Sequence, residues 1–245
     1  MTSEVLVETI VIPTRFRGPP NSANGGYACG IVAEALGGDV EVTLRAPPPL
    51  DRPLSIVARS EQQIELWNGE VLLARARRRP LALALPPRPS WEEACKASRH
   101  YAGFDHHPFP GCFVCGPRRT EGDGLRIFPG AISGQRVAAP WIPDESLCDS
   151  DGSVRARFLW AALDCPGYFA VTGDILQTLL LGRMTARVHR PVQAGEPCVV
   201  VGWPLASDGR KHSCGTALFS ESAGLCGESL ATWIAVPNPG DLSEK

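Results

Sequence analysis

The feature that most constrains this 245-residue chain is an internal repeat, because three stretches recur in one order at slowly growing offsets. Gly26-Tyr27, in NGGYACGIVAEAL, matches Gly167-Tyr168, in CPGYFAVTGDIL, at an offset of 141. Pro47 and Pro53, in VEVTLRAPPPLDRPLSI, match Pro191 and Pro197, in MTARVHRPVQAGEPCVV, at 144, and apolar Val40, Val42 and Leu44 fall on Met184, Ala186 and Val188. Gly69-Glu70, in WNGEVLLA, matches Gly227-Glu228, in LCGESLAT, at 158. A preserved order with an offset that only grows is what small insertions produce in a diverged duplicate.

Each copy reads alike. A strand opens it, at Val5 to Ile12 in the first copy and at Leu125 to Phe128 with Arg136 to Trp141 in the second. A helix follows, near Gly26 to Leu36 and near Gly167 to Gly173, and three strands close the unit. Apolar–polar alternation predicts strands at Val40 to Arg45 and Met184 to His189. Pro47 and Pro191 end them, since proline cannot donate to a ladder. Asn68-Gly69 and Ser207-Asp208-Gly209 are hairpin turn signals. The first helix is small or apolar over Ala28 to Ala33 and so must be buried. The expected fold is α+β, a tandem (double) hot-dog in which each copy is an antiparallel sheet wrapped around one central helix. Residues 1–80 form the first repeat and 111–240 the second. Residues 81–110 form a proline-rich linker with a short helix at Trp91 to Ser98. Two such copies can join their sheets as a dimer would, about a pseudo-twofold axis.

Hydrophobic residues make up 44% of the chain and charged residues 20%, ordinary values for a globular protein that needs no disulfide or metal to stabilise its core. A formal net charge of −2 gives no sign of a nucleic-acid or anionic-membrane partner. The start carries Glu4 and Glu8 and reads as a strand rather than a signal peptide, and apolar runs such as Ile175 to Gly182 are too short to span a bilayer. The expected address is the cytoplasm, and the nine cysteines are expected as reduced, mostly buried thiols.

Two segments resemble known families. HHPFPGCFVCGPRRTEGDGLRIFPG resembles, through Cys112, Phe113, Cys115, Gly116, Gly124 and Leu125, a segment that opens many hot-dog proteins of the 4-hydroxybenzoyl-CoA and phenylacetyl-CoA thioesterase type. NSANGGYACG resembles the Asn-Gly-Gly-Tyr helix start of double hot-dog acyl-CoA thioesterase-like proteins. The resemblance implies an acyl-CoA ligand and thioester hydrolysis, with coenzyme A arriving as part of the substrate and no separate cofactor. A homodimer of two such chains is compatible with it. Many hot-dog thioesterases carry histidine before the glycine pair, where this chain has Asn24, which is no base at neutral pH.

Thioester hydrolysis needs a donor for the developing oxyanion and either an activated water or an attacking carboxylate. The amides of Gly25 and Gly26 at a helix start suit the first need, with Asn24 orienting the carbonyl or water. Asp164, in LDCPG, is the candidate base or nucleophile, set against the commoner use of such an aspartate as an N-cap. A helix dipole there would keep it ionised. Glu34 sits in an apolar helix and is expected near its solvent-facing end. Arg75 and Arg77 alternate with Arg79 on one strand face, and Arg187 and Arg190 form a second patch. They are either a solvated sheet face or a dock for coenzyme A phosphates. Cys112-x-x-Cys115 with His106 and His107 is half a zinc motif. A second pair is missing, Cys148 or Cys165 would have to complete it through folding, and the expectation is no metal. No GxSxG, P-loop or dinucleotide glycine motif occurs. Two rivals stand beside hydrolysis. One is acyl-thioester hydration or dehydration, disfavoured because none of His100, His106, His107, His189 and His212 lies on a helix start. The other is a non-catalytic acyl-CoA-binding protein.

Overall fold

A computed structural model describes residues 5–173 and 177–236. Residues 1–4 and 237–240 of the two expected repeats, and Ile175 and Leu176 in the apolar run, lie outside the described residues.

Eleven strands form a single sheet, built from β1 (Val5–Val11), β2 (Val40–Leu44), β3 (Pro53–Ser60), β4 (Gln63–Asn68), β5 (Val71–Arg78), β6 (Gly130–Ile132), β7 (Arg136–Trp141), β8 (Leu179–Val188), β9 (Cys198–Asp208), β10 (Lys211–Ser220) and β11 (Gly224–Ala235). Their order is β1-β3-β4-β5-β2-β8-β11-β10-β9-β7-β6, and every pairing is antiparallel. Read inward from β1 and from β7, the two halves follow the same path: first strand, third, fourth, fifth, second. They meet at β2 and β8, where Val40 faces Ala186, Glu41 faces Thr185 and Val42 faces Met184. The offset of 144 maps Val40 onto Met184 and Val42 onto Ala186. The ladder therefore has the register that a twofold axis between Glu41 and Thr185 requires.

One face of each strand is apolar and lies on the helices. Val40, Val42, Ile56, Ile64, Leu66, Ala74, Ala76, Met184 and Ala186 are all buried there. The helix α1 (Gly25–Leu36) is buried on nearly every side, as its lack of a polar face demands, and ends at Gly37 with φ 73. Beyond Arg79 the chain turns to the other side of the sheet. Leu83 packs on Val201, Trp203, Ala217 and Phe219, and the helix α2 (Trp91–Ser98), capped by Ser90, covers Ala138 and Val199. That is why β9 is apolar at consecutive positions rather than alternating.

Five expectations are corrected. Four strands rather than three follow the helical part of each half, β2 to β5 and β8 to β11. Leu125 to Phe128 is not a strand: the Leu125 and Ile127 amides donate to Phe113 and Val114, but Arg126 between them has φ 55, which breaks the ladder. β8 begins at Leu179, because Leu179, Leu180 and Leu181 pair with Ala235, Ile234 and Trp233. Gly69-Glu70 forms a two-residue turn, whereas Gly227-Glu228 lies inside β11, so the third sequence match is a coincidence of two letters. The second half has not one central helix but two short ones, α3 (Ala156–Ala162) and α4 (Cys165–Thr172), bent at Leu163-Asp164 with Pro166 in the first turn of α4.

α1 and α3 approach at backbone distance. A Cβ on Gly30 would stand 2.6 Å from Arg157 Cα and 2.9 Å from its carbonyl oxygen. Glu34 is not solvated as expected: it accepts from the Arg157 amide and guanidinium at 2.6 Å each and ties the far end of α1 to α3. Gly30→Ala is therefore predicted to lower unfolding free energy by about 1–3 kcal/mol, the usual cost of forcing an extra methyl into a packed contact. Urea denaturation checks this, and unchanged stability would contradict the close approach.

Candidate active site

The head of α1 and the α3–α4 bend meet at the inner end of a cavity of about 420 Å³. Asn24 is the N-cap of α1, its Oδ1 accepting from the Tyr27 amide at 2.9 Å. Its Nδ2 donates to Asp164 Oδ2 at 2.8 Å, and the Gly26 amide donates to the same oxygen at 3.0 Å. Asp164 thus does not cap the helix it precedes. It serves as an acceptor for the head of α1, from the other half of the chain. A Cβ on Gly26 would fall 2.4 Å from Asp164 Cβ, so glycine is required at that contact.

Asn24 is 3% exposed and Asp164 1%. Asp164 Oδ1 has no hydrogen-bond partner among the described residues. Burial raises the Asp164 carboxyl to about 7, against the lowering by the Gly26 amide and Asn24, and negative charge on the Cys112 sulfur adds to the rise. The expected lowering by a helix dipole is overturned, because desolvation outweighs two hydrogen bonds. Of the first amides of α1, Gly26 and Tyr27 are taken, and the Gly25 amide has no acceptor among the described residues.

Asn24, Gly25 and Asp164 line the cavity, whose walls are otherwise largely apolar: Leu179, Leu180, Leu181, Tyr168, Trp233 and Phe109. Pro47, Pro48 and Pro49 border it, with exposed Arg45, whose guanidinium has no carboxylate partner among the described residues. The four arginines picked from the sequence do not line it. Arg75 binds Glu65 at 2.8 Å, Arg77 binds Glu41 at 2.7 Å, Arg187 binds Asp39, and Arg190 binds Glu196 at 3.0 Å. The strand alternation put Arg75 and Arg77 on one face, but that is the face turned away from the helices.

Sequence reasoning missed Arg45, which has only its place after a strand and before three prolines to mark it. It also set aside His107, which borders the cavity. Its Nδ1 accepts from the Phe109 amide at 2.9 Å, so the proton sits on Nε2, 3.3 Å from Cys115 Sγ. Burial holds His107 below its ordinary pKa, so the ring is neutral. His106 does not line the cavity. Cys112, Cys115 and Cys165 do, and their sulfurs lie within 4.8 Å of one another.

No protein-family model matches the sequence, and no curated protein matches it. Solved structures do. A tesB protein of Mycobacterium avium subsp. paratuberculosis aligns over 96% of this chain and 97% of its own at 13% identity, with a TM-score of 0.61. The acyl-CoA thioesterase II TesB2 of Mycobacterium marinum aligns over 98% of both chains at 8% identity, also with a TM-score of 0.61. The likeness to these TesB-type double hot-dog proteins is one of fold, and it extends over the whole chain. No described helix is long and apolar enough to cross a membrane.

Asn24 caps one helix and holds the carboxylate at another. Asn24→Ala is accordingly predicted to cost about 2–3 kcal/mol, a lost cap plus a lost hydrogen bond to a buried acid. A loss under about 0.5 kcal/mol in chemical denaturation would contradict the double role.

Proposed function

We propose that this chain hydrolyses acyl-CoA thioesters in the cavity between the head of α1 and the α3–α4 bend. On this reading it is a tandem hot-dog with copies at 1–80 and 111–240. The observation that carries the reading is the Asp164 carboxylate, fixed through one oxygen by Asn24 and Gly26 beside an apolar cavity of ligand size. The mirrored strand order and the whole-chain likeness to the TesB-type structures support the fold-level part.

The roles differ from the simplest assignment. Asn24 and the Gly26 amide are spent on the carboxylate and act as positioning groups. The Gly25 amide is the donor left for the thioester oxygen. Asp164 takes a proton from water as the water oxygen attacks the carbonyl carbon. The electron pair of the C=O bond moves to oxygen, where Gly25 N–H and the positive end of α1 stabilise it. When that pair returns, the C–S bond breaks, and the coenzyme A thiolate recovers the proton from Asp164. A desolvated carboxylate is a stronger base than an exposed one, which suits this task near neutral pH. The acyl group occupies the apolar walls, and Arg45 at the cavity's border binds a coenzyme A phosphate.

Thiol release from a panel of short, long and aromatic acyl-CoAs tests the activity, and Asp164→Asn tests the mechanism. The variant should retain the fold by circular dichroism and lose about 10²–10⁴-fold in kcat, the usual worth of a general base. Turnover within a few-fold of wild type, with folding intact, would reduce Asp164 to a structural acceptor. Saturable acyl-CoA binding without any turnover by the wild type would favour the binding-protein alternative. Arg45→Ala should raise KM about fivefold with kcat unchanged, as expected for one exposed phosphate contact. An unaltered KM would remove Arg45 from the substrate site.

A further inference from the structure

The three thiols beside the cavity remain without a role in this chemistry. Cys112 and Cys115 stand on one tight turn, closed by the Gly116 amide on the Cys112 carbonyl at 2.9 Å. Cys165 is the first residue of α4 and comes from a different part of the chain. Its sulfur lies 3.8 Å from that of Cys112, and all three sulfurs, on buried residues, fall within 4.8 Å of one another. Four ligands at about 2.3 Å around a tetrahedral zinc put neighbouring sulfurs about 3.8 Å apart. Three buried thiols gathered from two segments, with weak partners otherwise, have more to gain from a shared cation than from packing alone.

We propose that Cys112, Cys115 and Cys165 bind one zinc ion as three thiolates, with the fourth position held by a water from the cavity. His107 is not the fourth ligand. Its Nδ1 is taken by the Phe109 amide, so the protonated Nε2 donates to the Cys115 sulfur and supports the thiolate as an outer partner. The zinc would tie the turn at 112–116 to the start of α4 and so brace the residue before it, Asp164. This site is independent of the hydrolytic reading, since metal binding is measured without any substrate.

Purification under reductant, without chelator, from cells grown with added zinc should yield about one zinc per chain by mass spectrometry of the metal. Cys112→Ala and Cys165→Ala should each fall to a small fraction of that, while Cys95→Ala, outside the cluster, keeps it. Should either variant fail to fold, the stripped wild type decides. Cobalt(II) added under reducing conditions should give a thiolate-to-cobalt absorption, with the intense visible bands of tetrahedral cobalt, saturating near one equivalent. Background zinc together with no thiolate–cobalt band overturns the proposal. Full zinc content in folded Cys112→Ala and Cys165→Ala also overturns it.

Discussion

Two residues of α1 have no side chain where α3 and its bend cross them. A methyl group at Gly26 would meet Asp164 Cβ at 2.4 Å and the Trp160 carbonyl at 2.8 Å, and one at Gly30 would meet the Arg157 backbone. This glycine-lined crossing lets the helices of the two halves touch at backbone distance, and the remainder of the site follows from it. The α3–α4 bend brings Asp164 to the amides that begin α1, while Glu34 and Arg157 fasten the other end of the same contact. On the sheet side, β2 and β8 join the halves with a ladder centred on Glu41 and Thr185. The two halves are thus fixed by a helix crossing on one layer and a strand pairing on the other, and the site sits where the crossing is tightest.

The chemistry depends on how dry that crossing is. A carboxylate in water needs no help to ionise, whereas Asp164 has one oxygen on two donors and the other without a partner among the described residues. Two hydrogen bonds do not offset the loss of solvent, and the acid rises to about 7. The same burial that makes the charge costly makes the carboxylate basic, which is the property that the proposed hydrolysis requires. The outer face of the sheet works the opposite way. There Glu41 and Glu65 are buried but each meets arginines, so those charges are consumed in the fold.

Much of the architecture could be read from the residues. The apolar α1, the short capped α2, the strand at Val40 and the twofold register at offset 144 all follow from local pattern. What escaped depends on distance across the fold. α3 is seven residues long and, apart from Arg157, apolar, so it is too short and too uniform for a periodicity to announce it. Asp164 reads as a cap of its own helix, because nothing local reveals that Gly26 of the other half will stand against it. Cys165 reads as a buried thiol until folding sets it beside Cys112. The arginine stripe was legible as a stripe, but the carboxylates that neutralise it lie on other strands or loops.

The central claim is that Asp164 acts through the anchorage that Asn24 supplies across the helix crossing. A double-mutant cycle on the rate of thiol release tests it most directly, pairing Asn24→Ala with Asp164→Asn and confirming the folded state of each variant. If the two residues form one unit, the double variant loses no more kcat than Asp164→Asn alone, and the coupling reaches about 1–3 kcal/mol. Losses that add within about 0.5 kcal/mol would show that the two side chains act separately and would contradict the account.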